Sequence, residues 1–209
     1  RNMAPYDHGK RIEKESFMLL GDPEKCPTKV ATAIGEADLS AKFYPPVVKA
    51  LAAFPNATAS VADLMTVKEL SAFNRAQIWE VLLVLTGAGF VAPVSKSTTP
   101  DEDVAASRSL NAHLMERADA GAGVDYLAAP QLATAISVPR IEQMFIRAIL
   151  AKAKDPAEIV SQTLADQGQY LIVDGAAIED KAKTKVELTR MLNDFKANRA
   201  DMLQRLGVY

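Results

Sequence analysis

Cysteine is almost missing from this chain: its 209 residues contain one, Cys26. An intrachain disulfide and a cysteine-based zinc site are both excluded. Histidine is nearly as scarce, with only His8 and His113. Neither sign of charge dominates, since 24 Lys+Arg meet 26 Asp+Glu for a formal net charge of −2. So balanced a chain has no whole-molecule field with which to gather nucleic acid or acidic lipid. No apolar run reaches the roughly 18–20 residues that span a bilayer. The opening "RNMAPYDHGKRIEKES" has no apolar h-region, so no signal peptide is expected. Position 1 is Arg1 rather than methionine, which leads us to expect a fragment or a processed piece. Also absent are a GxGxxG after a strand, a P-loop, an HExxH and a GxSxG. A reducing cytoplasm fits these absences.

What remains is an ordinary globular composition, 49% hydrophobic and 24% charged, long enough for one large domain or two small ones. "SFMLLG" reads as a strand, because a short apolar run is bounded by Gly21-Asp22-Pro23. "KVATAIGEADLS" predicts a second strand ending near Gly35. "YPPVVKALAAF" starts a helix on early prolines, with Val47, Val48, Leu51 and Phe54 at helical spacing. Ser60 is the expected N-cap of a short helix carrying Val61, Leu64 and Met65. A third helix runs from about Asn74 to Leu85, with Ile78, Trp79, Leu82 and Leu85 inward. Gly87 and Gly89 stop it, and "FVAPV" follows as a strand. Three helices and a strand over residues 44–94 make a winged-helix-like pattern.

"SKSTTPDEDVAAS" is polar, contains Pro100 and has no period, which predicts a linker at about 95–104. Beyond it, "VAASRSLNAHLMERA" reads as a helix with Leu110, Leu114 and Met115 inside. "GAGVDYLAAPQLATAISV" reads as extended, and a helix starts at Pro139. Asp155, Pro156 and Glu158 form a strong helix start, with Gly168 as the stop. "QYLIVDGAAIED" predicts a hairpin turning on Asp174-Gly175. A last helix, about Thr184–Leu206, aligns Leu188, Leu192, Phe195, Leu203 and Leu206. The expected fold is mainly α with short β-strands, an α+β chain. A winged-helix-like unit with N-terminal strands (1–94) is followed by a helical unit with a hairpin (105–209).

A DNA reader takes most of its affinity from cations on phosphates. Residues 36–100 hold Lys42, Lys49, Lys68, Arg75 and Lys96 against Glu36, Asp38, Asp63, Glu69 and Glu80, an even balance. Asn74 and Gln77 are base-edge readers by type, but without a basic surround they read as caps. No nucleic acid partner is expected.

Candidates for chemistry are few. His113 lies near Glu116 in a predicted helix, a conceivable general base or simply an exposed histidine. Cys26 has Lys25 and Lys29 close in sequence, which could lower its pKa, but no histidine partner can be shown. The glycine pairs of "TGAGF" and "ADAGAGVDY" follow helices, whereas a phosphate cradle needs strand, glycine loop, then helix. Residues 181–205 carry seven bases against three acids, enough to meet an acidic partner or to form a solvated helix face. No catalytic, cofactor-binding or metal-binding residue is assigned.

The ordered blocks nevertheless resemble a known region. "AIGEADLSAKFYPPVVKALAAFPNATASVADL" and "QIWEVLLVLTGAGFVAP" are similar to the part following the catalytic domain in class I S-adenosylmethionine-dependent methyltransferases of the "methyltransferase regulatory domain" type. Shared are a GEA-x-L block, a Y-x-P-V-x-x-A-L-A helix and a V-L-x-G-A-G-x-x-x-P helix end. "LNAHLMERADAGAGVDYLAAPQLATAI", "QGQYLIVDG" and "FKANRADMLQRLGV" continue the likeness, which covers about residues 15–208. The family's Rossmann-like domain, with its glycine-rich cofactor loop, has no counterpart here, so no activity is carried onto any residue. The resemblance implies a non-catalytic regulatory or substrate-docking region whose partner is a methyltransferase catalytic domain. S-adenosylmethionine is expected only in a missing N-terminal domain. Some relatives resemble bacterial protein-lysine methyltransferases, which makes a protein acceptor one option. The rivals are a free-standing winged-helix module for a protein partner or nucleic acid, and an unrecognised enzyme using Cys26 or His113.

Overall fold

In the computed structural model, residues 14–32, 35–94, 101–121, 123–173 and 175–209 are described. The chain forms two units, Arg1–Thr99 and Pro100–Tyr209. Its architecture is α+β, mainly helical, with short antiparallel strand pairs.

In the first unit, β1 (Ser16–Leu19) is the centre of a three-stranded sheet, between β4 (Thr58–Ser60) and β5 (Val91–Val94). Phe17, Met18 and Leu19 are all buried. A central strand covered on both faces shows an unbroken apolar run rather than alternation, which is what "SFML" displays. Between β1 and β4 come β2 (Lys29–Thr32) and β3 (Gly35–Asp38), paired antiparallel. The one strand expected up to Gly35 is thus two, with Gly35 opening the second.

Helix α1 (Tyr44–Ala52) starts on Pro45 and Pro46 and buries Val47, Val48 and Leu51. Ser60 then closes a capping box with Asp63 at the start of α2 (Val61–Leu64). Met65, expected on this helix, is its C-cap and is 40% exposed. Asn74 and Gln77 form a second capping box on α3 (Arg75–Gly87), which satisfies two otherwise orphaned donors. Ile78, Leu82 and Leu85 are buried, and the half-buried Trp79 ring meets Phe17 edge-on at 5.6 Å between centroids. Gly89, at φ +68°, turns the chain out of α3, and the Phe90 N–H donates to the Leu85 carbonyl at 2.9 Å. Helix, strand, helix, helix and strand follow one another over 44–94. β5, however, pairs with β1 from the start of the unit, not with a later strand of a wing hairpin.

In the second unit, α4 (Asp101–Asp119) leads into β6 (Tyr126–Ala129) and β7 (Thr134–Ser137), an antiparallel pair. Residues 101–104, expected as linker, are the first turn of α4, where Asp101, Glu102 and Asp103 suit the helix dipole; residues 95–100 lie outside the described set. Leu110, expected inside, is 52% exposed, while Met115 is buried. α5 (Arg140–Leu150) and α6 (Pro156–Asp166) follow, the latter capped by Asp155 as its spacing implies. β8 (Leu171–Val173) and β9 (Ala176–Ile178) form the expected hairpin, although Asp174 is outside the described residues. The final helix begins earlier than expected and is broken. α7 (Lys181–Asn198) ends at Arg199, whose φ of −129° leaves the helical region, and α8 (Ala200–Arg205) resumes. Leu188, Leu192, Phe195, Leu203 and Leu206 are buried, as the stripe predicts.

Candidate functional site

The first unit holds a groove of about 740 Å³. Pro45, Pro46 and Ala50 of α1 line it, with Ala53, Phe54 and Pro55 from the turn that follows and Val67. It exists because small and proline side chains occupy the outer face of α1 and the turn after it. Lys49 and Glu69 are its charges. The Lys49 ammonium lies 3.7 Å from a Glu24 carboxylate oxygen. The groove has the size and apolar lining of a binding cleft. Its lining is otherwise apolar, which suits an apolar group.

Tyr44 lies near the opposite flank of α1, beside Glu80; burial and then that carboxylate push its phenol up. The outer surface of α3 exposes Ala76, Glu80 and Leu83, the last to 49%. A helix that reads DNA presents cations there, and the single base of α3 is Arg75 at its N-terminus.

Other candidates resolve into structural roles. Cys26 is half-buried, and burial raises its thiol pKa, contrary to the lowering its lysine neighbours suggested. Those cations lie beside carboxylates: Lys25 at 3.5 Å from Asp22, and Lys29 at 3.4 Å from Glu36 and 3.9 Å from Asp38. His113 is exposed, 4.0 Å from Glu116. His8 lies outside the described residues. In "ADAGAGVDY", Gly121 takes a φ of +83° and Gly123 serves packing. A Cβ on Gly123 would come within 2.7 Å of the Ala118 backbone, so only glycine lets the chain leave α4 so closely.

The bases of 181–205 mostly work inside the unit. Lys185 bridges Asp155 and Glu158 at 2.9 and 2.8 Å, Arg205 meets Asp201 at 2.9 Å, and Arg190 pairs with Glu187. Arg199 binds Glu142 at 2.9 Å and the Ser137 carbonyl at 2.6 Å. A smaller cleft between α5 and α6 holds Asp119, whose carboxyl burial pushes up against the pull of Arg147 and Arg140. Arg147 engages that carboxylate, and the remaining lining is Met144, Ala148, Ala151, Ile159, Val160 and Thr163.

Two buried amides went unnoticed in the sequence. Asn111 Nδ2 donates to the Ala128 and Val208 carbonyls at 2.9 and 2.8 Å. Gln143 Nε2 donates to the Val124 and Val138 carbonyls at 2.6 and 2.8 Å. Asn111 stands between Leu110 and Leu114, so a polar residue on the inner side of a helix was the available signal. Among the described residues no cluster of three or more His, Cys, Asp or Glu could hold a metal ion. Nor is any described helix long and apolar enough to cross a membrane.

No protein-family profile matches the chain, and no solved structure is significantly similar. Among curated proteins, it is similar to an uncharacterized protein of Synechocystis sp. (strain ATCC 27184 / PCC 6803 / Kazusa), with 24% identity over 206 residues. That match covers 99% of this chain and 40% of the relative, so the chain spans about two fifths of the length of the curated relative it matches.

Proposed function

We propose that the chain is a non-catalytic regulatory or substrate-docking region of a cytoplasmic S-adenosylmethionine-dependent methyltransferase, acting beside a catalytic domain on a protein acceptor. The observation that carries this reading is the groove of about 740 Å³, lined mostly by apolar residues from Pro45 to Val67, with Lys49 and Glu69 as its charges. Support comes from the roles of the residues behind the resemblance. Asn111 of the N-x-x-L block is fully buried and bonded to backbone, and Gln167 of the Q-G block donates to the Asp119 carbonyl at the end of α4. Such residues hold a fold together, as those of an accessory region do. The match to two fifths of the relative also leaves room there for a separate catalytic part.

The test uses the native protein with Ala53→Trp, which fills the groove from its exposed end. We expect a raised KM for the acceptor with unchanged S-adenosylmethionine affinity. Unchanged KM, or a native product that consists of this chain alone and has no methyltransferase partner, would overturn the reading. A second reading, a winged-helix module for a protein partner, is favoured by Leu83, whose exposure gives α3 an apolar outer face in place of a cationic one. The first reading has no nucleic acid or membrane partner; the second ranks a protein partner ahead of nucleic acid.

A further inference from the structure

The cleft between α5 and α6 has no part in the docking reading. Met144, Arg147 and Ala148 share one face of α5, with Ala151 just past its end. Ile159 and Val160 come from α6, and the hollow measures about 180 Å³. Alanine at 148 and 151 leaves it open. Ile159, although apolar, is 51% exposed beside it.

Asp119 and Arg147 stand in this cleft, each with about a third of its side chain exposed. Their ion pair uses one guanidinium nitrogen, Nη1, and one carboxylate oxygen, Oδ2. Arg147 Nε and Nη2 and Asp119 Oδ1 have no hydrogen-bond partner among the described residues. The other polar groups nearby are turned elsewhere. Arg140 donates from Nε to the Ala118 carbonyl, from Nη1 to Gln169 Oε1 and from Nη2 to Gln167 Oε1, at 2.6, 2.6 and 2.7 Å. Glu116, the further acid that acts on Asp119, lies 4.0 Å from His113. The Thr163 hydroxyl donates to the Ile159 carbonyl at 2.9 Å. The cleft thus offers a free donor edge and a free acceptor side by side, in an otherwise apolar lining.

Those free positions select the ligand. A lone anion on Arg147 would stand against Asp119, and a lone cation on Asp119 would stand against Arg147. A purely apolar molecule would leave both unanswered. A group carrying both charges meets both with charge-assisted hydrogen bonds. We propose that this cleft binds a small apolar α-amino acid as its zwitterion. The carboxylate of the ligand accepts from Arg147 Nε and Nη2, its ammonium donates to Asp119 Oδ1, and its side chain packs on Met144, Ile159 and Val160. The size agrees, since about 180 Å³ is well below the roughly 300–1,000 Å³ of drug-sized pockets. The bound amino acid joins the end of α4 to α5 and α6, so it stabilises the second unit by mass action. This inference does not depend on the methyltransferase reading.

Calorimetry of the whole chain with L-valine tests it, and three analogues remove one feature each. Isovalerate lacks the ammonium, isobutylamine lacks the carboxylate, and isobutyramide offers an amide in place of both charges. L-Valine should bind saturably with a dissociation constant of about 1 mM or below, and each analogue at least about tenfold more weakly. Ala151→Leu fills the cleft from an exposed position, so it should fold like the wild type and lose about tenfold or more in affinity. Arg147→Lys keeps the charge beside Asp119 but loses the guanidinium fork, and should weaken binding likewise. No saturable heat with L-valine up to about 10 mM, an analogue that binds as tightly as L-valine, or a folded variant that binds it like the wild type would each overturn the proposal.

Discussion

Asn111 and Ala128 are bonded in both directions: the Asn111 Oδ1 accepts from the Ala128 N–H at 2.7 Å, and its Nδ2 donates to the Ala128 carbonyl at 2.9 Å. The amide mimics a neighbouring strand and fastens β6 to α4. Its second donation, to Val208, ties in the chain after α8.

Asn111→Ala should therefore orphan the half-buried Ala128 N–H and carbonyl and the buried Val208 carbonyl. A buried unsatisfied group costs about 1–3 kcal/mol, so we expect a loss of roughly 3 kcal/mol and a melting temperature many degrees lower for the second unit. A loss below about 0.5 kcal/mol, the scale of ordinary surface substitutions, would show that the contact is unimportant.

Asn74→Ala removes the cap of α3, which typically costs about 1 kcal/mol. Trp79 is the single tryptophan and packs on Phe17, so its fluorescence follows the first unit alone. The expected readout is an earlier fluorescence transition in urea. If Asn74 were a base reader, the variant would instead weaken a salt-sensitive binding to duplex DNA. We expect no such binding in the wild type at physiological salt.

Glu142 gives a pH dependence. Burial holds its carboxyl above the usual 4.5, against the opposing pull of Arg199. The folded state thus binds this proton more tightly than the unfolded one. Stability from the group is full below 4.5 and falls as pH rises through the folded pKa. Arg199→Met removes the opposing charge and raises that pKa further. The stability gap between wild type and variant should widen as pH rises from about 4 to 8, across the range where carboxyls titrate. A gap independent of pH would contradict this.

Cys26 should alkylate slowly at neutral pH, since burial raises its pKa and the nucleophile is the thiolate. The rate with iodoacetamide should still be climbing at a pH of about 9, above the ordinary thiol range. A plateau near neutrality would restore the view of Cys26 as an activated thiol.

The local elements were readable because their signals are local. Ser60, Asn74 and Asp155 cap helices as their spacing implies. Pairing was less readable, because it depends on residues distant in the chain. β5 looked like the strand of a wing, yet its neighbour is β1, some seventy residues upstream, as the register Phe17 with Pro93 shows. Leu110 fits an apolar stripe by period, but polar Asn111 takes the buried position beside it, since two backbone carbonyls need its amide. The break at Arg199 was hidden because the apolar stripe continues across it from Phe195 to Leu203. The groove left only an indirect trace, the run of small and proline residues around α1, which period-based reading treats as helix entry rather than as absent volume.

The central claim is that this chain docks but does not catalyse, and titrating it with S-adenosylmethionine is the most direct test. The cofactor class needs a strand, a glycine turn and a helix N-terminus aimed at it. Here Gly87 and Gly89 lie at the C-terminal end of α3, and Gly121 and Gly123 follow that of α4. Calorimetry on residues 1–209 should give no saturable heat. A saturable signal with a dissociation constant below about 100 μM, tighter than roughly −5.5 kcal/mol, would contradict the account and place a cofactor site within this chain.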